Sequence, residues 1–333
     1  MIGRRALLRA LLQGLVGIRL AAPRRASAQS AAKIRRVGVL RPAPDDARFR
    51  RDFEGFRDAL RKDGYVEGTN LAIEYRMRPG PSEAILGMAA ELAQLPVDVI
   101  VAISPAAVMA AAKVTRTIPV VAIDLESDPL ALGLVTSLAR PGGNVTGLFL
   151  DFPELAGKWL ELMRETVPSL SRVAVLWDPA TGPAQMKAAE AAARTLRLQI
   201  QVLPARAAAD LDAAVQAAVR ERAGALVVLS SPVFNAARRE VATLTGRSRL
   251  PSIMAFPGYA EDGGLIGYGP HLRSMFAQAG GHVVRVLNGG APREIPVERP
   301  TQFSLLINQT TAQALGVTIP ASLLARADEV IQR

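Results

Sequence analysis

With 333 residues, half of them apolar and only 5% aromatic, the chain has material for two domains with cores of Ala, Val, Leu and Ile, a mix that favours α/β architecture over an aromatic-rich β-sandwich. Cysteine is absent, which excludes a disulfide framework, a thiol nucleophile and a lipoprotein anchor built on a cysteine. The formal net charge of +10 falls to +4 (34 basic against 30 acidic residues) once Arg4, Arg5, Arg9, Arg19, Arg24 and Arg25 are set aside; no Lys/Arg run interleaved with aromatics remains, so no nucleic-acid partner is expected.

Those six arginines belong to a segment that reads as an export signal. A basic start gives way to a mostly apolar run, Ala10 to Ala22, and Ala26-Ser27-Ala28 offers a small-x-small cleavage site. The start Arg4-Arg5-Ala6-Leu7-Leu8-Arg9 resembles a twin-arginine motif, with general secretion the alternative. A membrane anchor would need ~20 unbroken apolar residues, and Arg19 interrupts this run. Residues 1–28 are therefore expected to leave near Ala28, and the mature chain to be soluble in the periplasm.

A buried strand, Arg36 to Leu40, ends in Arg41-Pro42-Ala43-Pro44-Asp45-Asp46. Ala47 to Asp63 spaces Phe49, Phe53, Phe56 and Leu60 three or four apart, a helix with a core-facing stripe that Gly64 closes. Leu71 to Met77 alternates as a strand, and Ser82 opens a helix to Gln94. Two βα units follow. Val97 to Ile103 runs into Ser104-Pro105 and an Ala-rich helix; Val120 to Ile123 runs into the acidic turn Asp124 to Asp128, before another helix. The turn Arg140 to Asn144 leads to a fifth strand, Val145 to Leu150. Strands alternating with helices of about 10–15 residues imply a parallel sheet with right-handed crossovers.

The pattern then restarts. Helices are expected from Pro153 to Val167, up to Leu196, and from Asp210 to Arg222, with strands at Arg172 to Trp177, Leu198 to Leu203, Ala225 to Leu229 and Ser252 to Phe256. Polar residues again gather at strand ends: Asp178 to Pro183, Ser230-Ser231-Pro232 and Pro257-Gly258-Tyr259. Leu265 to Tyr268 and a helix from His271 to Leu287 return material to the first lobe, and Phe303 to Leu315 closes the second. The expected division is 34–150 plus about 265–297 for one lobe and 151–264 plus about 298–331 for the other. Several crossings between two lobes behave as a hinge.

In open parallel sheets, ligands bind where strands hand over to helices. Ser104 and Pro105 suit an N-cap and first helical position, leaving the amides of Ala106 and Ala107 for an anionic group, or else form an ordinary helix start. Asp124, Glu126 and Asp128 are candidates for an ammonium group or for acid–base work, with helix capping the plain reading for Asp128. Asp178 is a cap or a contact, Phe256 and Tyr259 an apolar wall or core, and Arg41 a carboxylate partner or a solvated loop residue. His271 and His282, the only histidines, fall in a helix away from the strand ends, so no metal or Ser-His site is expected. GxGxxG, GxxxxGK[ST] and GxSxG are absent, and no cofactor is expected.

Several segments carry a family resemblance. Gly64-Tyr65-Val66-Glu67-Gly68-Thr69-Asn70 with Ile73-Glu74-Tyr75-Arg76, Asp128-Pro129 to Gly133-Leu134-Val135, Leu138 to Gly147, Ile307-Asn308 to Leu315-Gly316, and Leu323 to Ile331 together resemble the ABC transporter substrate-binding proteins of the TrpX-like group. The resemblance spans roughly residues 34 to 331. It implies α/β architecture with two Rossmann-like lobes, parallel sheets and a multi-crossing hinge: the type I periplasmic binding protein fold. It further implies a non-enzymatic, monomeric carrier that closes over an amino acid or small carboxylate-like metabolite and presents it to an ABC permease in the inner membrane. A ligand-sensing receptor domain for a membrane partner is the alternative, and a two-lobe enzyme using cleft carboxylates a further one. Mapped onto this sequence, the ligand-binding positions are Arg41, Ser104, Ala106, Ala107, Asp124, Ser127, Asp128, Asp178, Gln185, Ser231, Phe256 and Tyr259. Two departures stand out: Ile103-Ser104-Pro105 replaces the family's Gly-Thr-Pro, and Asp178-Pro179-Ala180-Thr181-Gly182-Pro183 replaces Asn-Pro-Asn-Asn-Pro.

Overall fold

Two layers of mostly parallel strands account for nearly every apolar run among the described residues. The computed structural model describes residues 34–150 and 152–332, apart from the side chains of 152–154. The export signal and its cleavage site lie outside the described residues.

The smaller layer comprises β1 (Arg35–Arg41), α1 (Ala47–Lys62), β2 (Leu71–Met77), α2 (Ser82–Gln94), β3 (Val99–Ile103), α3 (Pro105–Val114), β4 (Val120–Asp124) and β5 (Val145–Phe149). Its five strands run in the order β2-β1-β3-β4-β5, all parallel. β4 and β5 are buried along their whole length, as strands covered by helices on both faces must be. α1 begins where Asp46 accepts a hydrogen bond from the Phe49 amide at 2.8 Å and ends with Arg61 and Lys62 at the negative end of its dipole. No helix follows the acidic turn after β4; residues 129–139 form successive turns. Asp128 caps the Leu130 amide at 2.9 Å, and the Pro129 carbonyl accepts from Leu134 at 3.0 Å, with Gly133 at φ 65°. The segment is thereby wound into a local loop before helical turns propagate.

The larger layer contains α4 (Phe152–Thr166), β6 (Arg172–Trp177), α5 (Ala184–Thr195), β7 (Gln199–Pro204), α6 (Leu211–Arg220), β8 (Ala225–Val228), α7 (Pro232–Ala236), α8 (Arg238–Arg247), β9 (Ser252–Met254), α9 (Gly258–Glu261) and β10 (Ile266–Pro270). After β10 come α10 (Leu272–Leu287), β11 (Phe303–Asn308), α11 (Gln309–Leu315), α12 (Ala321–Leu324) and β12 (Glu329–Ile331). The seven strands are ordered β12-β11-β10-β9-β8-β6-β7; β10 and β11 are antiparallel, and the other pairs are parallel.

α10 departs from this layer. β10 pairs with β9 and β11, so residues 265–270 belong to the larger sheet and not to the smaller lobe. The chain crosses only afterwards, and α10 packs along α1 and against β3, β4 and β5. Residues 296–298 stay there, with the Val297 amide bonded to the Leu138 carbonyl (2.8 Å) and the Phe149 amide to the Glu298 carbonyl (3.0 Å). The chain returns at β11. Three passages therefore join the layers, near 151, 271 and 300, and the described residues form one compact unit. His282 lies fully buried on α10, its ring nitrogens 3.2 Å from the Gln278 and Pro296 carbonyls; burial, then the charge of Arg285, lowers its pKa. Its role is structural.

α1 and α10 approach closely because glycine faces backbone from both sides. A Cβ on Gly55 would stand 2.1 Å from the Arg273 carbonyl oxygen, and one on Gly280 would stand 2.9 Å from that of Phe56. Helix propensity alone favours Gly→Ala by about 1 kcal/mol. Gly55→Ala is nevertheless expected to destabilise the chain by about 1–3 kcal/mol through overpacking, read as a lower urea midpoint at unchanged m-value. An equal or higher midpoint would show that the contact yields.

Candidate functional site

The carboxyl ends of β1, β3 and β4 face those of β8 and β9 across a cavity of about 290 Å³, near the lower end for small-molecule sites. From the smaller lobe it is lined by the loop Arg41 to Pro44, by Asp46, Arg48, Phe49 and Asp52 of the α1 start, by Ile103 and Ser104, and by Ile123, Leu125 and Glu126. Leu272, Met275 and Phe276 enter from α10; Pro232, Asn235, Ala236, Arg238, Phe256 and Gly258 enter from the larger lobe. Phe49 stacks on Phe53 at 4.9 Å and meets Phe276 edge-on at 5.8 Å between ring centroids, forming an aromatic wall. The Arg41 guanidinium lies 4.3 Å over the Phe49 ring.

Charged groups concentrate where the lobes meet. Arg48 reaches from α1 to α9: its Nη1 donates to Asp262 Oδ2 at 3.2 Å and to the Gly258 carbonyl at 3.4 Å, and its Nη2 to Glu261 at 2.5 Å. A Cβ on Gly258 would stand 1.7 Å from that guanidinium, so glycine leaves the seat Arg48 occupies. Asp262 also pairs with Arg238 Nε at 2.6 Å and Arg239 Nε at 2.9 Å. Burial raises the pKa of Asp52 against the opposing pull of Arg51.

Deeper in, the Ser230 hydroxyl donates to Glu126 Oε1 across the gap at 2.8 Å. Gln185 holds Ser230 from behind, its Oε1 accepting from the Ser230 amide at 2.9 Å and its Nε2 donating to the Ser230 carbonyl at 3.2 Å. Burial, reinforced by the neighbouring Asp124 carboxylate, pushes the Glu126 carboxyl up to about 8. Asp124 is itself raised by burial; its Oδ1 accepts from the amides of Glu126 (3.1 Å) and Ser127 (3.0 Å), fixing the turn that aims Glu126.

Of the twelve positions expected to contact ligand, Arg41, Ser104 and Phe256 line this cavity. Asp124 and Gln185 stand one step behind it. Asp178 and Ser231 spend their polarity on each other, the Ser231 hydroxyl donating to Asp178 Oδ2 at 2.7 Å, and Asp178 also accepts from Ala180. Ser127 and Asp128 belong to the loop outside; Asp128 is exposed. Tyr259 is core, fully buried with its hydroxyl 2.6 Å from Ser252 and 3.1 Å from Thr245. At the helix start, Ser104 Oγ accepts from the Ala107 amide at 3.3 Å, Ala107 is buried, and Ala106 lines a separate outer groove. Ser104 itself has φ 105°, a conformation that costs a non-glycine residue about 1–3 kcal/mol and recurs at ligand clamps. Arg48, Asp52, Asn235, Arg238 and the α10 residues were not singled out by sequence reasoning. Arg48 and Arg238 carry no local signal in the sequence, and Phe49 reads as part of the core-facing stripe of its helix.

Among the described residues no helix is long and apolar enough to cross a membrane. The chain is 26% identical over 284 residues to a tyrosine-binding protein of Clostridioides difficile (strain R20291), covering 84% of this chain and 79% of that one. The solved ABC domain in complex with L-Trp from Streptococcus pneumonia matches with a TM-score of 0.81 at 24% identity, over 89% of this chain and 99% of that one. The ligand-free, open structure of a substrate binding protein with adhesive properties from Clostridium difficile matches with a TM-score of 0.68 at 23% identity, over 90% and 100% of the two chains. The two-lobed α/β architecture is that of type I periplasmic binding proteins. The family described as ABC transporter substrate binding protein is matched over residues 36–331, and the chain belongs to that family.

Proposed function

We propose that the chain captures a small carboxylate with an apolar body, an aromatic amino acid in the first instance, between its lobes in the periplasm and presents it as a monomer to an ABC permease. The observation that carries this reading is the cavity itself: aromatic and aliphatic walls with guanidinium and carboxyl groups at the seam between two lobes. The tyrosine-binding relative and the L-Trp complex support the ligand class. Binding and not turnover is the reading, because the cavity carboxyls are committed to caps, ion pairs and the Ser230 bond. At 290 Å³ the space suits a single small metabolite.

The lobes are in a closed arrangement. The Arg48 and Glu126 bonds span them, and the fold likeness is greater to the L-Trp complex than to the open ligand-free structure, at nearly equal identity. A ligand favouring this closed state shifts the population toward it by its differential affinity, and a permease then reads the closed surface.

Titration of purified chain from residue 29 with the twenty amino acids and simple aromatic carboxylates tests the reading. L-tyrosine or L-tryptophan is expected to raise the melting temperature, consistent with about 2.7 kcal/mol of stabilisation at a hundredfold excess over Kd; no response to any amino acid or carboxylate would overturn it. Gly258→Val is expected to expel Arg48 from its seat, weakening binding of the responding ligand about tenfold, or ~1.4 kcal/mol, with the ligand-free melting temperature almost unchanged. X-ray scattering should then show no ligand-dependent contraction.

Glu126 makes the closed form pH-sensitive. Its folded pKa of about 8 lies above the ordinary 4.5, so the folded chain binds a proton that the unfolded chain releases in that window. The corresponding stability is full below pH 4.5 and is lost as pH rises through about 8. Glu126→Gln keeps the acceptor for Ser230 and removes the titration. The melting-temperature difference between this variant and the parent is expected to widen in the variant's favour from pH 5 to pH 9; a flat difference would refute the assignment.

A further inference from the structure

We propose that Arg41 and Arg238, one from each lobe, form a two-armed clasp for the carboxylate of the captured molecule, and that capture does not require an amine. The inference rests on the reading of this cavity as the ligand site.

Both arginines line the cavity, and neither guanidinium is fully matched by the protein. Arg41 donates to the Pro44 carbonyl and lies 3.7 Å from Asp46 Oδ2, while the other oxygen of that carboxylate is committed to the α1 cap. Arg238 pairs through Nε with Asp262 and donates through Nη1 to the Asn235 carbonyl at 2.8 Å. Asp262 is divided among Arg48, Arg238 and Arg239, three cations on one carboxylate. Burial lowers the pKa of both arginines, and the charge of Arg238 lowers that of Arg41 further. Two partly desolvated like charges facing one space are relieved by an anion between them. The planar fork of arginine fits a carboxylate bidentately, and an anion held from both sides draws the lobes together.

An ammonium group finds no such place. Asp46 caps α1, Asp52 is 3.4 Å from Arg51, and Glu126 accepts the Ser230 hydroxyl and holds its own proton at neutral pH. At the helix start after Ser104, the rival anion site, the Ala107 amide is already taken by the Ser104 hydroxyl, and Ala106 lines a different groove. The ligand class is therefore set by a carboxylate and an apolar body, with the amine a tolerated addition.

Three probes separate the groups: L-tyrosine, 3-(4-hydroxyphenyl)propanoate and tyramine, titrated calorimetrically into the mature chain and into Arg41→Met and Arg238→Met. The two carboxylates are expected to bind within tenfold of each other and tyramine at least a hundredfold more weakly, a comparison that needs no variant to fold. Each Met variant with a parent-like melting temperature should lose tenfold or more for both carboxylates. Tyramine binding as tightly as L-tyrosine, propanoate binding more than a hundredfold weaker than L-tyrosine, or full affinity in both variants would overturn the clasp while leaving the capture reading intact. Failure of every carboxylate, with no amino acid bound either, would remove both.

Discussion

The meeting of two charged rims around a partly enclosed space is the constraint on which this structure depends. Each lobe supplies groups too polar to be buried alone, and each finds its partner on the other side: Arg48 on Glu261 and Asp262, Ser230 on Glu126. Water otherwise solvates these groups, and exposed pairs contribute little. Half-buried at the seam, they gain from closure only when geometry is good, and a partner left behind is costly. On the capture reading proposed above, closure then depends on what fills the cavity, the property a carrier needs in order to both capture and release.

The two-layer architecture was legible because alternation of buried runs and Ala-rich helices leaves few options for Val97 to Ile123 or Arg172 to Leu229. That a cavity would open along the strand ends was legible for the same reason. Which polar residues face the cavity was not. Asp178 and Ser231 mark strand ends, and Gln185 a helix start, as plainly as Arg41 and Ser104 do, yet they bond to one another or to the backbone. Local sequence distinguishes a polar terminus from an apolar one, not an internal partner from an external one. The roles of Arg48 and Arg238 are not written locally, because they depend on contacts across 214 and 24 residues respectively, to Asp262 in both cases. The missing helix after Asp128 has a local cause, a cap and a glycine turn that divert the chain.

The line between core and site is also narrower than the residues imply. Phe49 lies in the α1 stripe with Phe53 and Phe56, and the same ring supports the Arg41 guanidinium at the cavity wall. Tyr259, whose position beside Phe256 invites a similar reading, instead directs its hydroxyl inward to Ser252 and Thr245. The difference lies in what each hydroxyl or ring meets after folding, and Gly264, whose added Cβ would fall 2.2 Å from the Tyr259 ring, makes room for the inward choice.

The late arrival of α10 bears on how the polypeptide is born. The face of α1 that bears Phe49, Phe53 and Phe56 is emitted early in translation, yet the helix that covers it begins at Leu272. For most of synthesis that aromatic stripe therefore lacks its α10 cover, though Tyr75 already meets Phe53 from β2. The core of the smaller lobe is completed by a segment from late in the chain, and apolar surface left open until then is of the kind on which chaperones act.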